Sequence, residues 1–361
     1  MAVEYATFRE RRFFANLDGV RAVAVLAVVA WHVAPSDLLR SLRGGRGVEW
    51  FFALSGFLIT TLALREEETA GSVRIRAFFQ RRAFRILPLY TLALLVVFVA
   101  DVVVYRNPAL TDGWKAYWPY YVTMTQDIPF KLGWANAPFA VAWSLGIEEK
   151  FYLVWPVLGF VVLRNRSRFQ VTATIAIGIA FVELAWPGSV LGRLLGSYLP
   201  IIAGCLVALL AHQPHHFHRF RLLAQPVVLT TVIVLVAVRL PDEISAWRGY
   251  GPIYAALIAA AVAGLAMRPS VPVLSSPVML WIGRRSYAIY LFHSEAIRIV
   301  TKATERLGFG GGEFGGLVIF AGALTVSLAV AEAVHRTVEK PLIRLGRTVS
   351  ERRPQYAPTL T

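Results

Sequence analysis

About ten separate apolar stretches recur along the 361 residues of this chain, and they constrain its fold more than any other feature. A helix crosses the bilayer hydrocarbon with about 20 predominantly apolar residues. The stretches fall at roughly 14–35, 47–65, 86–105, 139–163, 170–187, 195–211, 225–240, 251–267, 279–301 and 314–336, some of them short or interrupted. The expected fold is therefore all-α: a polytopic membrane bundle of about ten transmembrane helices, in a lipid bilayer.

Composition points the same way, with 57% hydrophobic and 16% charged residues and a mean hydropathy of +0.56, unlike a soluble domain of this size. A net charge of +15 raises nucleic acid as a partner. The basic residues, however, sit between apolar runs rather than in one stripe beside aromatics, so no nucleic acid is expected. Ten spans put both termini on one side. The basic residues favour the loops and tails of that side by roughly two to one, which makes it cytoplasmic. Those inner segments are Arg9 to Arg12, Arg74 to Arg85, Arg164 to Arg168, Arg219 and Arg221, Arg284 and Arg285, and Arg336 to Arg353. Anionic headgroups and anionic cytosolic ligands would be drawn to them.

The basic start resembles a signal peptide but has no convincing cleavage site, so its apolar run is read as a retained helix. One transmembrane domain over 1–361 is expected, with cytoplasmic tails at about 1–12 and 340–361 and no appended soluble domain. A single cysteine, Cys205, excludes an intrachain disulfide or a thiolate cluster. His212, His215, His216 and His218 have metal-like density but sit in a basic loop without nearby carboxylates; a solvated loop and no metal are expected. Gly308 to Gly316 lacks the ending of a phosphate loop and reads as an outer turn. Leu110 to Ala137, the longest outer loop, is aromatic enough for the membrane-water interface or for the roof of a cleft. Gly192 and Gly196 have the spacing of close helix packing, within one subunit or in a homo-oligomer.

Ionisable residues inside apolar spans are costly, and each carries a functional hypothesis by default. Arg21 and His32 lie eleven residues apart, within about 20° of one helix face and about 16 Å apart along it. Counting rise from the inner ends places His32 about 27 Å up its span and Glu148 about 24 Å up another. His293 and Glu295 approach that level at about 20 Å, and Glu49 near the top of the second span can join it. Against this stands the plainer reading of His32 as a buried histidine bonded to a backbone carbonyl, and of Glu148 and Glu149 as an ion pair with Lys150. Arg82 and Arg85, at i and i+3 on one helix face, could clamp phosphate with paired guanidinium contacts or simply follow the positive-inside bias.

The motifs around these residues closely resemble those of the integral membrane acyltransferase 3 family, over nearly the whole chain. They are Leu17-Asp18-Gly19-Val20-Arg21 with His32; Gly47 to Ile59, including Glu49 and Leu54-Ser55-Gly56-Phe57; Arg81-Arg82-Ala83-Phe84-Arg85-Ile86-Leu87-Pro88; Trp143-Ser144-Leu145-Gly146-Ile147-Glu148-Glu149-Lys150-Phe151-Tyr152; Ser286 to His293, with Tyr287; and Glu339-Lys340-Pro341. The resemblance implies a bacterial, multi-pass enzyme of the cell (inner) membrane. It would O-acylate a sugar-containing acceptor (surface glycan, glycolipid or a glycosylated antibiotic such as a macrolide) from acyl-CoA, most simply acetyl-CoA, with no tightly bound cofactor. It further implies functional roles for Arg21, His32, Arg82, Arg85 and Glu148. Glu49 stands where many members have aspartate, and Lys150 where many have glutamine.

The chemistry expected of these residues is direct transfer. CoA phosphates would lie near Arg82, Arg85 and Arg21, His32 would deprotonate the acceptor hydroxyl, and Glu148 would orient the imidazole. A covalent route through Ser55 or His32 is the variant, and Ser55 is as easily a packing residue. Trp143, Ser144, Glu149, Tyr152, Tyr287 and His293 are expected beside the substrate or just behind these groups. The competing class is a non-enzymatic transporter using the same charges as a proton or ion path.

Overall fold

The computed structural model describes residues 3–11, 13–33, 44–163, 166–237, 250–308 and 312–351, and no strand occurs among them. Arg12, Arg164, the ends of the first and seventh apolar stretches, the middle of the glycine-rich turn, and Arg352 and Arg353 lie outside the described residues. The chain begins with α1 (Tyr5–Glu10), α2 (Ala15–Val33), α3 (Gly47–Ala70) and α4 (Ile75–Val99). The segment 105–142 carries α5 (Pro108–Val122) and α6 (Asp127–Lys131), and is followed by α7 (Trp143–Val157) and α8 (Arg166–Ala185). Then come α9 (Val190–Leu195), α10 (Leu199–Ala211), α11 (Pro214–Phe220), α12 (Pro226–Ala237) and α13 (Tyr250–Ala266). The chain closes with α14 (Pro277–Arg306), α15 (Gly312–Val334) and α16 (Lys340–Glu351).

Where described, each of the ten apolar stretches is thus mostly helical, and the protein is a multi-pass membrane protein. Among the described residues, six helical segments are long and apolar enough to cross a membrane, or seven if Pro214–Ala224 and Pro226–Ala237, bent by 74°, form one span. The difference from ten has a physical source. The seventh helix carries Glu148, Glu149 and Lys150, α14 carries Arg284, Arg285, Glu295, Arg298 and Lys302, and α13 has only 17 residues.

Small residues set how the helices meet. A Cβ on Gly19 would lie 2.1 Å from the Leu274 carbonyl oxygen, and one on Gly283 would lie 2.1 Å from that of Asp18. The Leu-Asp-Gly segment therefore seats α2 against α14. Gly56 in α3 and Gly204 in α10 interlock in the same way, with a Cβ on either falling 1.9 or 2.2 Å from a carbonyl oxygen of the other helix. The stripe expected at Gly192 and Gly196 does not do this. Gly192 faces only its own cap at Ser189, and Gly196 makes room for the Glu183 carboxylate.

The histidine loop is exposed at His215 and His218, as expected, but not at its start. His212 is buried beneath α1, its Nδ1 donating to the Ala208 carbonyl (2.8 Å), the Phe8 ring edge-on at 5.3 Å, and its own carbonyl accepting from the Tyr5 hydroxyl (2.6 Å). An N-terminal helix that packs back on the start of the loop hides this one histidine. Burial pushes its pKa down to about 4.

Candidate active site

One cavity of about 740 Å³ opens between α2, α3, α4, α7, α14 and the C-terminal helices, a size typical of small-molecule sites. Its charged lining is mostly cationic: Arg21, Arg81, Arg82, Arg85, Arg284 and Arg347 against Asp18, Glu66, Glu148 and Glu339. Glu66 pairs with Arg81 at 3.5 Å and Arg74 at 3.0 Å. Arg21, Arg82, Arg85 and Arg347, by contrast, donate to no acceptor among the described residues, and the Arg21 Nε is fully enclosed without one. Arg82 instead lies over the Tyr152 ring, 4.6 Å from its centroid. Guanidiniums left open in a pocket walled by apolar helices form a site for an anion of fixed geometry.

At the wall of this cavity Glu148 accepts from the Tyr152 hydroxyl (2.7 Å) and from Ser55 (3.3 Å), while Ser55 and Tyr152 lie 2.9 Å apart. Residues 148 and 152 are one turn apart on α7, so the helix itself builds the carboxylate-tyrosine pair, and α3 adds the serine. Glu148 does not reach His32. The α7 face that carries Glu148 looks toward Arg21 and Arg82, with which it interacts electrostatically, and Arg21 lies eleven residues, about 16 Å of helix, from His32.

His32 meets His293 instead. Its Nδ1 lies 2.9 Å from the Val28 carbonyl and 3.3 Å from Nε2 of His293. The His293 Nδ1 lies 2.6 Å from the Tyr290 carbonyl. Carbonyls only accept, so both rings carry their proton on Nδ1, and His293 Nε2 accepts from His32. Among the described residues this leaves the His32 Nε2 with an unshared lone pair on an exposed ring, backed by a His293 that is fully buried. Neither histidine lines the cavity. Tyr290 does, and it stands between the two: its carbonyl holds His293, and its hydroxyl donates to Val141 (2.8 Å) while accepting from Ser144 (2.8 Å).

Other expected residues are distributed around this core. Tyr287 lines the cavity and donates to the Ile86 carbonyl at 3.1 Å, bracing α14 against the arginine helix. Glu149 lies in the field of Arg82 and Glu148 but outside the cavity lining. Trp143 is packed away, stacked on Phe130 (5.5 Å) with the Lys131 ammonium 4.3 Å from its centroid. Glu49 is not brought to the histidines. It pairs with Arg46 at 3.1 Å, one turn away on the same segment, and Arg46 lies 4.6 Å from the centroids of Tyr250 and Tyr254. Lys150 pairs not with Glu149 but with Asp127 of the segment 105–142, whose carboxyl is buried and raised in pKa by that burial against the pull of the lysine. Residues that the reading of charges and motifs did not single out are Tyr290 as the bridge, Asp127 as the loop anchor, and Arg284, His335 and Arg347 as cavity lining.

A family model described as an acyltransferase domain (acyltransferase 3) matches residues 14–336. The chain belongs to the acyltransferase 3 family. Among similar acyltransferases, the peptidoglycan O-acetyltransferase OatA of Listeria monocytogenes is 26% identical, over 82% of this chain and 51% of its own length. A Staphylococcus aureus (strain COL) protein provisionally named an O-acetyltransferase is 25% identical over 98% of this chain and 61% of its own. A Bacillus subtilis protein, YrhL, provisionally named a peptidoglycan O-acetyltransferase, is 28% identical over 96% of this chain and 58% of its own. The chain thus spans between half and two thirds of the curated relatives it matches. No solved structure matches it.

Proposed function

We propose that this acyltransferase moves an acetyl or other short acyl group from acyl-CoA to a hydroxyl of a sugar-containing acceptor, in the bacterial inner membrane with the cavity mouth on the cytosolic side. The observation that carries this reading is a cavity with four unpaired guanidiniums among the described residues, whose lining residue Tyr290 holds His293, which in turn holds the His32 ring. The arginines suit the diphosphate and phosphate groups of CoA, which bring the thioester toward His32. The cell-wall glycan named for two relatives is the first acceptor to try; glycolipids and glycosylated antibiotics such as macrolides belong to the same class.

In the reaction, His32 Nε2 takes the proton from the acceptor hydroxyl as its oxygen attacks the thioester carbonyl. The new C–O bond forms, the C–S bond breaks, and the CoA thiolate takes the proton from the imidazolium. His293 accepts the Nδ1 proton bond throughout and keeps the ring in its productive orientation. Glu148 fixes Tyr152 and Ser55 and offsets the charge of Arg21 and Arg82; in this reading it balances the donor site rather than orienting the base. Transfer is direct. Labelled acyl-CoA supplied without acceptor should leave no stable label on the protein, and a stably labelled enzyme would replace this route by a covalent one.

The test is acetyl transfer from acetyl-CoA to peptidoglycan fragments by detergent-solubilised protein. His32→Ala should reduce it about 10²- to 10⁴-fold while expression and membrane insertion stay normal. Wild-type turnover by His32→Ala would remove His32 from the chemistry.

A further inference from the structure

The family match ends at residue 336, yet the cavity wall continues beyond it. His335, Glu339, Ile343 and Arg347 all line the cavity and recur every four residues. In a 3.6-residue helix that spacing drifts steadily around the axis. Here the first turn, His335–Glu339, is a wide π turn, which winds the other way relative to the spacing and keeps the stripe facing inward. The His335 Nδ1 bonds Glu339 across that turn at 2.8 Å, so the near end of the stripe is self-satisfied. Its far end is not. Arg347, about 12 Å along the axis from Glu339, is exposed and has no acceptor among the described residues.

A second contact fixes where Arg347 stands. α16 packs along α4, and Gly346 touches it so closely that a Cβ there would lie 2.7 Å from the Phe84 Cβ. Phe84 sits between Arg82 and Arg85, so the docking of Gly346 brings the next residue, Arg347, to the arginine helix. The fold thus adds one more guanidinium to a cluster that already repels itself, and pairs it with no carboxylate. Such an arrangement is favourable when an anion of more than one charge occupies the space between.

We propose that Arg347 binds the phosphates of the nucleotide half of the CoA donor, making the C-terminal helix part of the donor site. This inference rests on the donor reading above and is separable from it. Binding of CoA and of pantetheine, which lacks the nucleotide and its phosphates, is measured by calorimetry on the full-length solubilised protein. Wild type should bind CoA more tightly than pantetheine. Arg347→Gln should weaken CoA about tenfold or more and leave pantetheine unchanged. Arg344→Gln, on the same helix but off the cavity lining, should alter neither. Unchanged CoA affinity in Arg347→Gln would overturn the role of Arg347 while leaving the donor reading intact. Equal loss of both ligands, or equal weakening by Arg344→Gln, would reduce Arg347 to a structural or general electrostatic part and overturn it as well. Wild-type protein that binds no CoA would overturn the donor reading itself.

Discussion

Replacing His293 by phenylalanine keeps a ring of similar size in the fully buried site but removes the nitrogen that accepts from His32. His32 then keeps only the bond from Nδ1 to the Val28 carbonyl, 2.9 Å long within its own helix. A neutral hydrogen bond of this kind contributes about 0.5–1.5 kcal/mol net, which corresponds to a drop in kcat of about two- to twelvefold. Removing the base itself should cost about 10²- to 10⁴-fold. If His293 acts through His32, its substitution has nothing left to disturb once His32 is gone, so the double variant should be no slower than His32→Ala alone. The assay is acetyl transfer by solubilised protein at saturating acetyl-CoA, for wild type, each single variant and the double. Two results would refute the reasoning: His293→Phe as slow as His32→Ala, or losses that multiply in the double variant.

Arg82→Ala and Arg85→Ala should each raise the Kd for CoA roughly ten- to a hundredfold, the worth of a charged hydrogen bond, as measured by calorimetry; unchanged affinity would move the donor elsewhere. Arg298 holds Asp101, which is fully buried, at 2.5 Å and also pairs with Glu295. Arg298→Met should therefore destabilise the protein by about 3–5 kcal/mol, read as a lower Tm in detergent, with Asp101→Asn added to it restoring part of the loss. His212 stays neutral when folded because burial holds its pKa near 4, against 6.5 for the free group. Its contribution is complete above pH 6.5 and fades as pH falls toward 4, by up to ~3 kcal/mol. Wild type should accordingly lose more stability than His212→Gln over that interval, and parallel pH profiles would contradict the burial of the ring.

The helices were legible because apolar runs of this length have few alternatives, and where described every one of the ten stretches is mostly helical. How many of them span was less so, since α7 and α14 carry the very charges that build the site. The cavity-lining arginines and Glu148 could be picked out as ionisable residues in or beside apolar runs. Their partners could not. Counting rise along a helix gives neither azimuth nor a common reference plane, so the level expected to join Glu148 and His32 does not bring them together: Glu148 bonds Tyr152 and Ser55 and interacts with Arg21, eleven residues from His32. Glu49 and Lys150 were drawn elsewhere by nearer opposite charges, Arg46 and Asp127, the second of them on a loop whose fold the sequence does not encode locally. The C-terminal helix was read as a tail because an arginine-rich segment carries no apolar signal, although Gly346 marks where it docks. His293 was noticed by its expected level and by the Ser286 to His293 motif, but its bond to His32 required the crossing of α2 and α14 that Gly19 and Gly283 permit.

The most direct measurement is the transfer of labelled acetyl from acetyl-CoA to a sugar hydroxyl by the purified, detergent-solubilised protein, with no sealed membrane present. A site built from this cavity and His32 predicts stoichiometric release of CoA and an acetylated glycan, both lost in His32→Ala. Purified wild-type protein that binds acetyl-CoA and the glycan yet transfers nothing, or transfers equally well without His32, would contradict it.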